Sequence, residues 1–196
     1  MANPAARLDV RYTYADYLTW PANERWELIS GTPYAMSPAP SRKHQAITLE
    51  LSRIIANHIK AQGGPCKVYA APFDVRLPQA NQAVNEIDTV VQPDIVIICD
   101  ATKLDDKGCL GTPDLVVEIV SPATVRKDMI EKLNLYEQHG VKEYWLVFPK
   151  EQLVSVYQLD DNKAYGKPEV YTTETPAPIE ILTGLVVNLA EVFAAE

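Results

Sequence analysis

Apolar residues follow two periods along this 196-residue chain, and each period predicts a different kind of element. "RWELISGTPYAMSP" alternates around Ser30-Gly31 and predicts two short strands joined as a hairpin. The pattern then changes to helical spacing. Ile47, Leu51, Ile54, Ile55 and Ile59 share one face, Ser41 stands where an N-cap belongs, and Gly63-Gly64 provides a stop. "KVYAAPFDVRLP" predicts a strand with Phe73, Val75 and Leu77 on one side. Asp74 and Arg76 fall together on the other, where they are expected to pair. The polar stretch from Gln79 to Thr89 predicts a mobile loop.

Two similar segments follow, "VVQPDIVIICD" and "GTPDLVVEIVSP", each placing Pro-Asp ahead of a β-branched run. Proline suits the start of a strand, so both predict strands beginning after it. "ATVRKDMIEKLNLYEQHG" then carries helix formers, with apolar positions at Met129, Leu133 and Tyr136 and a stop at Gly140. "KEYWLVFP" is the next strand, and Tyr144-Trp145 within it suits a core better than a base-stacking platform. A strand, helix and strand joined by short links form a crossover unit, so those two strands should be parallel neighbours. The remainder predicts a hairpin, short strands and a short closing helix. The expected fold is α/β, a mixed β-sheet with one long helix before it and a crossover helix packed on it.

Glu118 breaks this pattern. Five of the six residues from Leu115 to Val120 are apolar, yet a carboxylate stands among them. Burying it without a partner costs several kcal/mol, so a proton, a basic side chain or a metal ion must compensate it, or it must face a cleft. Asp114 shares its face but lies four residues away, about 13 Å along a strand, too far to share an ion. Asp94 sits on the preceding strand, and if the two strands pair directly it can meet Glu118 at one cation. On the crossover helix Asp128, Lys132 and Tyr136 form one stripe at i, i+4 and i+8. Lys132 has the reach to return toward Glu118. Two carboxylates and a lysine suit metal-assisted phosphodiester hydrolysis: the acids hold the ion, and the lysine steadies the attacking water or the developing charge.

Composition narrows the choice of partner. The formal net charge of -8 argues against a broad basic surface for nucleic acid, but leaves room for a local basic groove. Apolar runs fall well short of a membrane span, and the first residues lack the pattern of a secretory leader. Cys66, Cys99 and Cys109 show no metal-binding spacing and suggest reduced thiols in a cytoplasmic protein, with no disulfide. One domain over residues 1–196 is expected.

The segments "QPDIVII", "PDLVVEIVSPAT" and "KDMIEKLNLYEQHGVKEYWLV" resemble the Uma-two family of restriction-endonuclease-like proteins, within the PD-(D/E)XK nuclease superfamily. The resemblance spans roughly residues 13 to 195 and is densest from Gln92 to Phe148. It implies a restriction-endonuclease-like fold, with Asp94 and Glu118 as catalytic acids and ligands of Mg²⁺ or Mn²⁺. It further implies a nucleic acid substrate, DNA by analogy with the superfamily. The superfamily pattern puts a lysine two residues after the acid, where this chain has Val120. The resemblance assigns that role to Lys132, displaced onto the following helix. His44, Glu27 and Asp128 are accessory candidates. A two-fold homodimer is expected from the need to cut two strands with one site per chain.

Each of these residues also has a plainer reading. Asp94 could cap a turn after Pro93. Glu118 could sit in a structural salt bridge with Lys132, and Lys132 could be a solvated lysine pairing with Asp128. His44 suits a surface position in the first turn of its helix, and Glu27 a surface hairpin. A chain that kept the fold and lost catalysis, serving as a binding or structural module, is the alternative function, and a non-nuclease hydrolase using the same ion is a further one.

Overall fold

The computed structural model describes residues 10–21, 23–36 and 39–194. Helix α1 (Tyr14–Tyr17) precedes strands β1 (Trp26–Ile29) and β2 (Thr32–Ala35), and the long helix α2 (Arg42–Gln62) follows. Next come β3 (Lys67–Ala70), β4 (Val75–Arg76), β5 (Val90–Val91), β6 (Ile95–Ile98), β7 (Leu104–Asp105), β8 (Gly108–Leu110) and β9 (Leu115–Ile119). A π-helical turn over Lys127–Lys132 leads into α3 (Leu133–His139). Strands β10 (Glu143–Phe148), β11 (Leu153–Gln158), β12 (Glu169–Thr172), β13 (Ala177–Pro178) and β14 (Val186–Val187) and helix α4 (Leu189–Ala194) complete the order. No helix among the described residues is long and apolar enough to cross a membrane.

The architecture is mixed α/β, with two six-stranded sheets where the sequence pattern suggested one. The first runs β2-β1-β5-β4-β8-β7 and the second β12-β11-β10-β9-β6-β3. β1 and β2 form the expected hairpin, with positive φ at both Ser30 and Gly31. β9 and β10 are the expected parallel neighbours, and β9 is flanked on its other side by antiparallel β6. Helix α2 starts at Ser41, whose hydroxyl accepts from the His44 N–H, and it ends at a left-handed Gly63. Ile47, Leu51 and Ile55 pack onto one face of the second sheet with Ile95, Ile97, Leu115, Val117, Ile119, Trp145 and Val147. The opposite face, bearing Val96, Val116, Tyr144 and Leu146, packs against Leu135, Tyr136 and Val141 from the crossover and against Val75, Leu77 and Val91. Glu118 belongs to this second face by strand parity.

Several expectations are corrected. The strand read across Lys67 to Pro78 is two strands in different sheets, interrupted at Ala71–Pro72, whose peptide is cis. Proline has no N–H to give a ladder. The side assignment of Phe73, Val75 and Leu77 holds, since all three join one cluster. Asp74 and Arg76 do not pair: Arg76 bonds Asp105 at 2.6 Å, while Asp74 accepts from Tyr17 and Gln92. The polar stretch from Gln79 is pinned by a 3₁₀ turn at Val84–Glu86 and by Ile87, which is fully buried against Tyr14, Leu28 and Val90. Met129 faces outward, because the crossover turns its polar stripe inward. Cys66 and Cys99 form a disulfide, contrary to the expectation of reduced thiols. The Lys67↔Ile98 register brings the two cysteines opposite each other, a proximity that spacing along the chain does not reveal.

Gly108 shows how closely the first sheet is drawn together. Its φ is +118°, and a Cβ there would stand 2.2 Å from the Asp74 carbonyl oxygen, which accepts from the Cys109 N–H. Gly108→Ala should therefore lower unfolding stability by at least ~2 kcal/mol in urea denaturation, since both the clash and the backbone conformation oppose it.

Candidate active site

The chain passes from the first sheet to the second at Gln92-Pro93-Asp94, between β5 and β6. The candidate residues collect around this passage. The β6–β9 register pairs Ile95 with Val117, which sets Asp94 opposite Glu118 at the next step. Asp94 Oδ2 accepts from the Ile119 N–H at 2.7 Å and lies 3.1 Å from His44 Nε2. His44 thus reaches the site from the first turn of α2, where a surface position had seemed the plainer choice. Asp114 is elsewhere, bonded to the Cys99 N–H and to Lys142.

Lys132 Nζ donates to Glu118 Oε1 at 2.7 Å and lies 2.7 Å from Glu27 Oε1, so one ammonium joins a strand of each sheet. Tyr136 adds its hydroxyl to the same Glu118 oxygen at 3.0 Å. Glu27 is fully buried. It also accepts from Lys127 Nζ at 2.7 Å and from the Gln92 N–H at 3.0 Å. Asp128 is buried beside Lys132, and its backbone carbonyl accepts from the Tyr144 hydroxyl. Lys132 is 2% exposed, so it is neither a solvated helix lysine nor an open cleft residue.

Lys127, Gln92 and Tyr136 are members that sequence reasoning did not assign to the site. An α-helix advances about 100° per residue, which puts residues five apart roughly 140° apart and off one face. The wider π-helical turn brings residues five apart closer to one face than an α-helix does, and Lys127 and Lys132 both reach Glu27. Tyr136 stood on the recognised stripe, so its signal was available. Gln92 acts through its backbone N–H, which leaves no trace in residue type.

The electrostatics separate the two buried glutamates. Burial alone would raise the Glu27 carboxyl, but Lys132 and Lys127 outweigh it and hold its pKa at about 2. Burial drives Glu118 well above the usual carboxylate range, and Asp128, Asp94 and Glu27 add to that against the pull of Lys132. Burial raises Asp128 as well. For Lys132, burial favours the neutral amine, but Glu118, Glu27 and Asp128 overcome it and keep the ammonium charged. Four acidic side chains (Glu27, Asp94, Glu118 and Asp128) meet two lysines here. Glu118 is the one left undercompensated.

These groups lie at a cleft of ≈ 1680 Å³ whose wall also includes Arg25, Lys43 and Lys150. Among the described residues, no three His, Cys, Asp or Glu side chains are gathered into a ready-made metal cage.

Two mixed sheets carrying this junction have the fold of restriction-endonuclease-like nucleases. A crystal structure described as a putative nuclease belonging to DUF820, from Anabaena variabilis ATCC 29413, superposes with a TM-score of 0.74 at 21% identity. The match covers 93% of this chain and 98% of that one. The chain belongs to the Uma2 family, described as "Putative restriction endonuclease", whose profile matches residues 14–190. It is also 29% identical over 150 residues to "Uncharacterized protein slr1290" of Synechocystis sp. (strain ATCC 27184 / PCC 6803 / Kazusa), covering 75% of this chain and 74% of that protein.

The two glutamates should respond oppositely to loss of charge. Glu27→Gln leaves the buried Lys132 and the half-buried Lys127 short of a partner and should cost about 3–5 kcal/mol at pH 7. Glu118→Gln should be neutral or stabilising there. A depressed carboxyl contributes stability above its unfolded pKa and loses it as pH falls through the folded value. The Glu27 contribution should therefore disappear between about pH 4.5 and 2, where urea titrations of parent and Glu27→Gln should converge.

Proposed function

We propose that this protein is a metal-dependent nuclease that hydrolyses phosphodiester bonds of nucleic acid, with DNA as the substrate. The observation that carries the proposal is the pairing of Asp94 opposite Glu118 on adjacent strands, set in a cleft beside a lysine that its neighbours keep charged. Asp94 and Glu118 suit Mg²⁺ or Mn²⁺. Mg²⁺ commonly uses only one or two carboxylates and retains its waters, so it does not need a three-residue cage. When bound, such an ion polarises the phosphoryl oxygen and makes bound water easier to deprotonate.

The protein's own groups have separable tasks. Lys132 is held as an ammonium by its carboxylate neighbours, so it serves as a fixed positive charge for the developing phosphoryl charge and not as a base. Glu27 positions Lys132 and Lys127. Asp94 is oriented by the Ile119 N–H and by His44. Arg25, Lys43 and Lys150 on the cleft wall provide the local basic groove that an acidic chain needs to receive phosphates.

One observation favours a second reading, a fold that has lost catalysis. Lys132 is nearly closed off and already bonded to both glutamates, as a purely structural lysine would be. Its burial also removes melting temperature as a way to tell the readings apart. Asp94→Asn separates them instead. Single- and double-stranded DNA and RNA should be assayed with Mg²⁺ and Mn²⁺, and the substitution should lower cleavage by about 10² or more. Calorimetry should show Mn²⁺ binding to the parent and its loss in Asp94→Asn. A parent that neither binds Mn²⁺ nor cleaves any of these substrates would establish the structural reading.

Cutting both strands with one site per chain requires two copies, and the proposal includes a two-fold homodimer. Light scattering at micromolar protein should report twice the chain mass.

A further inference from the structure

We propose that Arg25 is a phosphate-binding residue, and that its guanidinium takes a backbone phosphate of nucleic acid lying in the cleft beside the acid cluster. The inference rests on the nuclease reading and gives it a specific substrate contact.

Arg25 immediately precedes β1 and lines the cleft. Its Nε and Nη2 both donate to Gln92 Oε1, at 3.0 and 2.8 Å. A guanidinium has five N–H donors in a rigid fork, so this seat leaves three of them unused. The Gln92 amide cannot turn away. Its Nε2 donates to Asp74 Oδ1 at 2.8 Å and to the Tyr17 hydroxyl at 3.1 Å, and that hydroxyl itself donates to Asp74. The oxygen end is thereby fixed toward Arg25.

The chemistry of the seat matters more than its rigidity. Arg25 is held by a neutral amide, and none of the described ion pairs includes it. Lys127 and Lys132, the cations at the centre of the cluster, are each spent on a buried glutamate. Arg25 is ordered without a direct ion pair, although Asp74 behind the amide feels its charge. It can offer a bidentate pair of donors to a phosphate without first breaking a salt bridge. Gln92 also connects the two sites, because its backbone N–H holds Glu27 at 3.0 Å while its side chain holds Arg25. Gln92 therefore holds Arg25 and Glu27, two residues apart at the start of β1, in a fixed relation.

The test is DNA binding followed by fluorescence anisotropy from 50 to 200 mM salt, with Ca²⁺ replacing Mg²⁺ to limit cleavage. Arg25→Gln should bind a mixed-sequence duplex about tenfold more weakly. Its plot of log affinity against log salt should be less steep by about 0.9, the loss of one phosphate contact. Arg25→Lys should keep the parent slope, because the charge remains, and lose affinity, because the fork does not. Circular dichroism checks that both variants fold. An unchanged slope and affinity in folded Arg25→Gln would overturn the inference, as would a parent that binds no DNA. Loss of inorganic phosphate binding with DNA binding intact would overturn the nucleic-acid assignment. If the parent cleaves nothing but Arg25→Gln still lowers the slope, the hydrolytic reading fails and the phosphate contact stands.

Discussion

One ammonium group ties this molecule together. Lys132 reaches Glu27 on the first sheet and Glu118 on the second, both at 2.7 Å, from the helix that covers their junction. Buried ion pairs are seldom a net source of stability, because desolvating each charge costs several kcal/mol and excellent geometry is needed to offset it. Their value lies in specificity. An arrangement in which the lysine lost both glutamates would leave its buried ammonium without a partner, so the two sheets can meet in very few ways. The π-helical turn is part of that constraint, since it brings a second lysine onto Glu27 and releases Lys132 to serve both acids.

The same constraint produces the site. Glu27 takes two lysines and is thoroughly compensated, while Glu118 shares one lysine and a tyrosine hydroxyl. Asp94 lies opposite it, at the end of a strand where the chain leaves one sheet for the other. Strand ends at such a passage are where a buried face opens toward solvent. The acids that the interior has not fully matched therefore gather at the cleft. The fold that carries this geometry is shared with a solved structure, and the chain belongs to the Uma2 family.

Much of the fold was legible because its cues are local. The α2 face of Ile47, Leu51 and Ile55, the Ser41 cap and the Gly63 stop need only neighbours within a turn or two. The same is true of the hairpin at Ser30-Gly31 and of the parallel β9–β10 pair, whose short links leave little freedom. Where local cues misled, a distant contact decided. "KVYAAPFDVRLP" has a continuous strand pattern, but its halves belong to different sheets. Ile87 anchors a stretch whose polarity suggested a loose loop. Cys66 meets Cys99 only through the register of two strands.

The sequence by itself determined that Glu118 needed a partner, because a carboxylate amid apolar strand residues is costly whatever surrounds it. It also determined the stripe of Asp128, Lys132 and Tyr136, because helical periodicity is a property of the backbone. Only the tertiary structure decided that this polar stripe faces inward and that Met129 faces out. It alone made Glu27 the second ligand of Lys132, recruited Lys127, and set Arg25 on the Gln92 amide. Ion-pair and hydrogen-bond energies fall off within a few ångströms. Which charges belong together is therefore decided by distances in space, and those exist only once two sheets and a helix have packed.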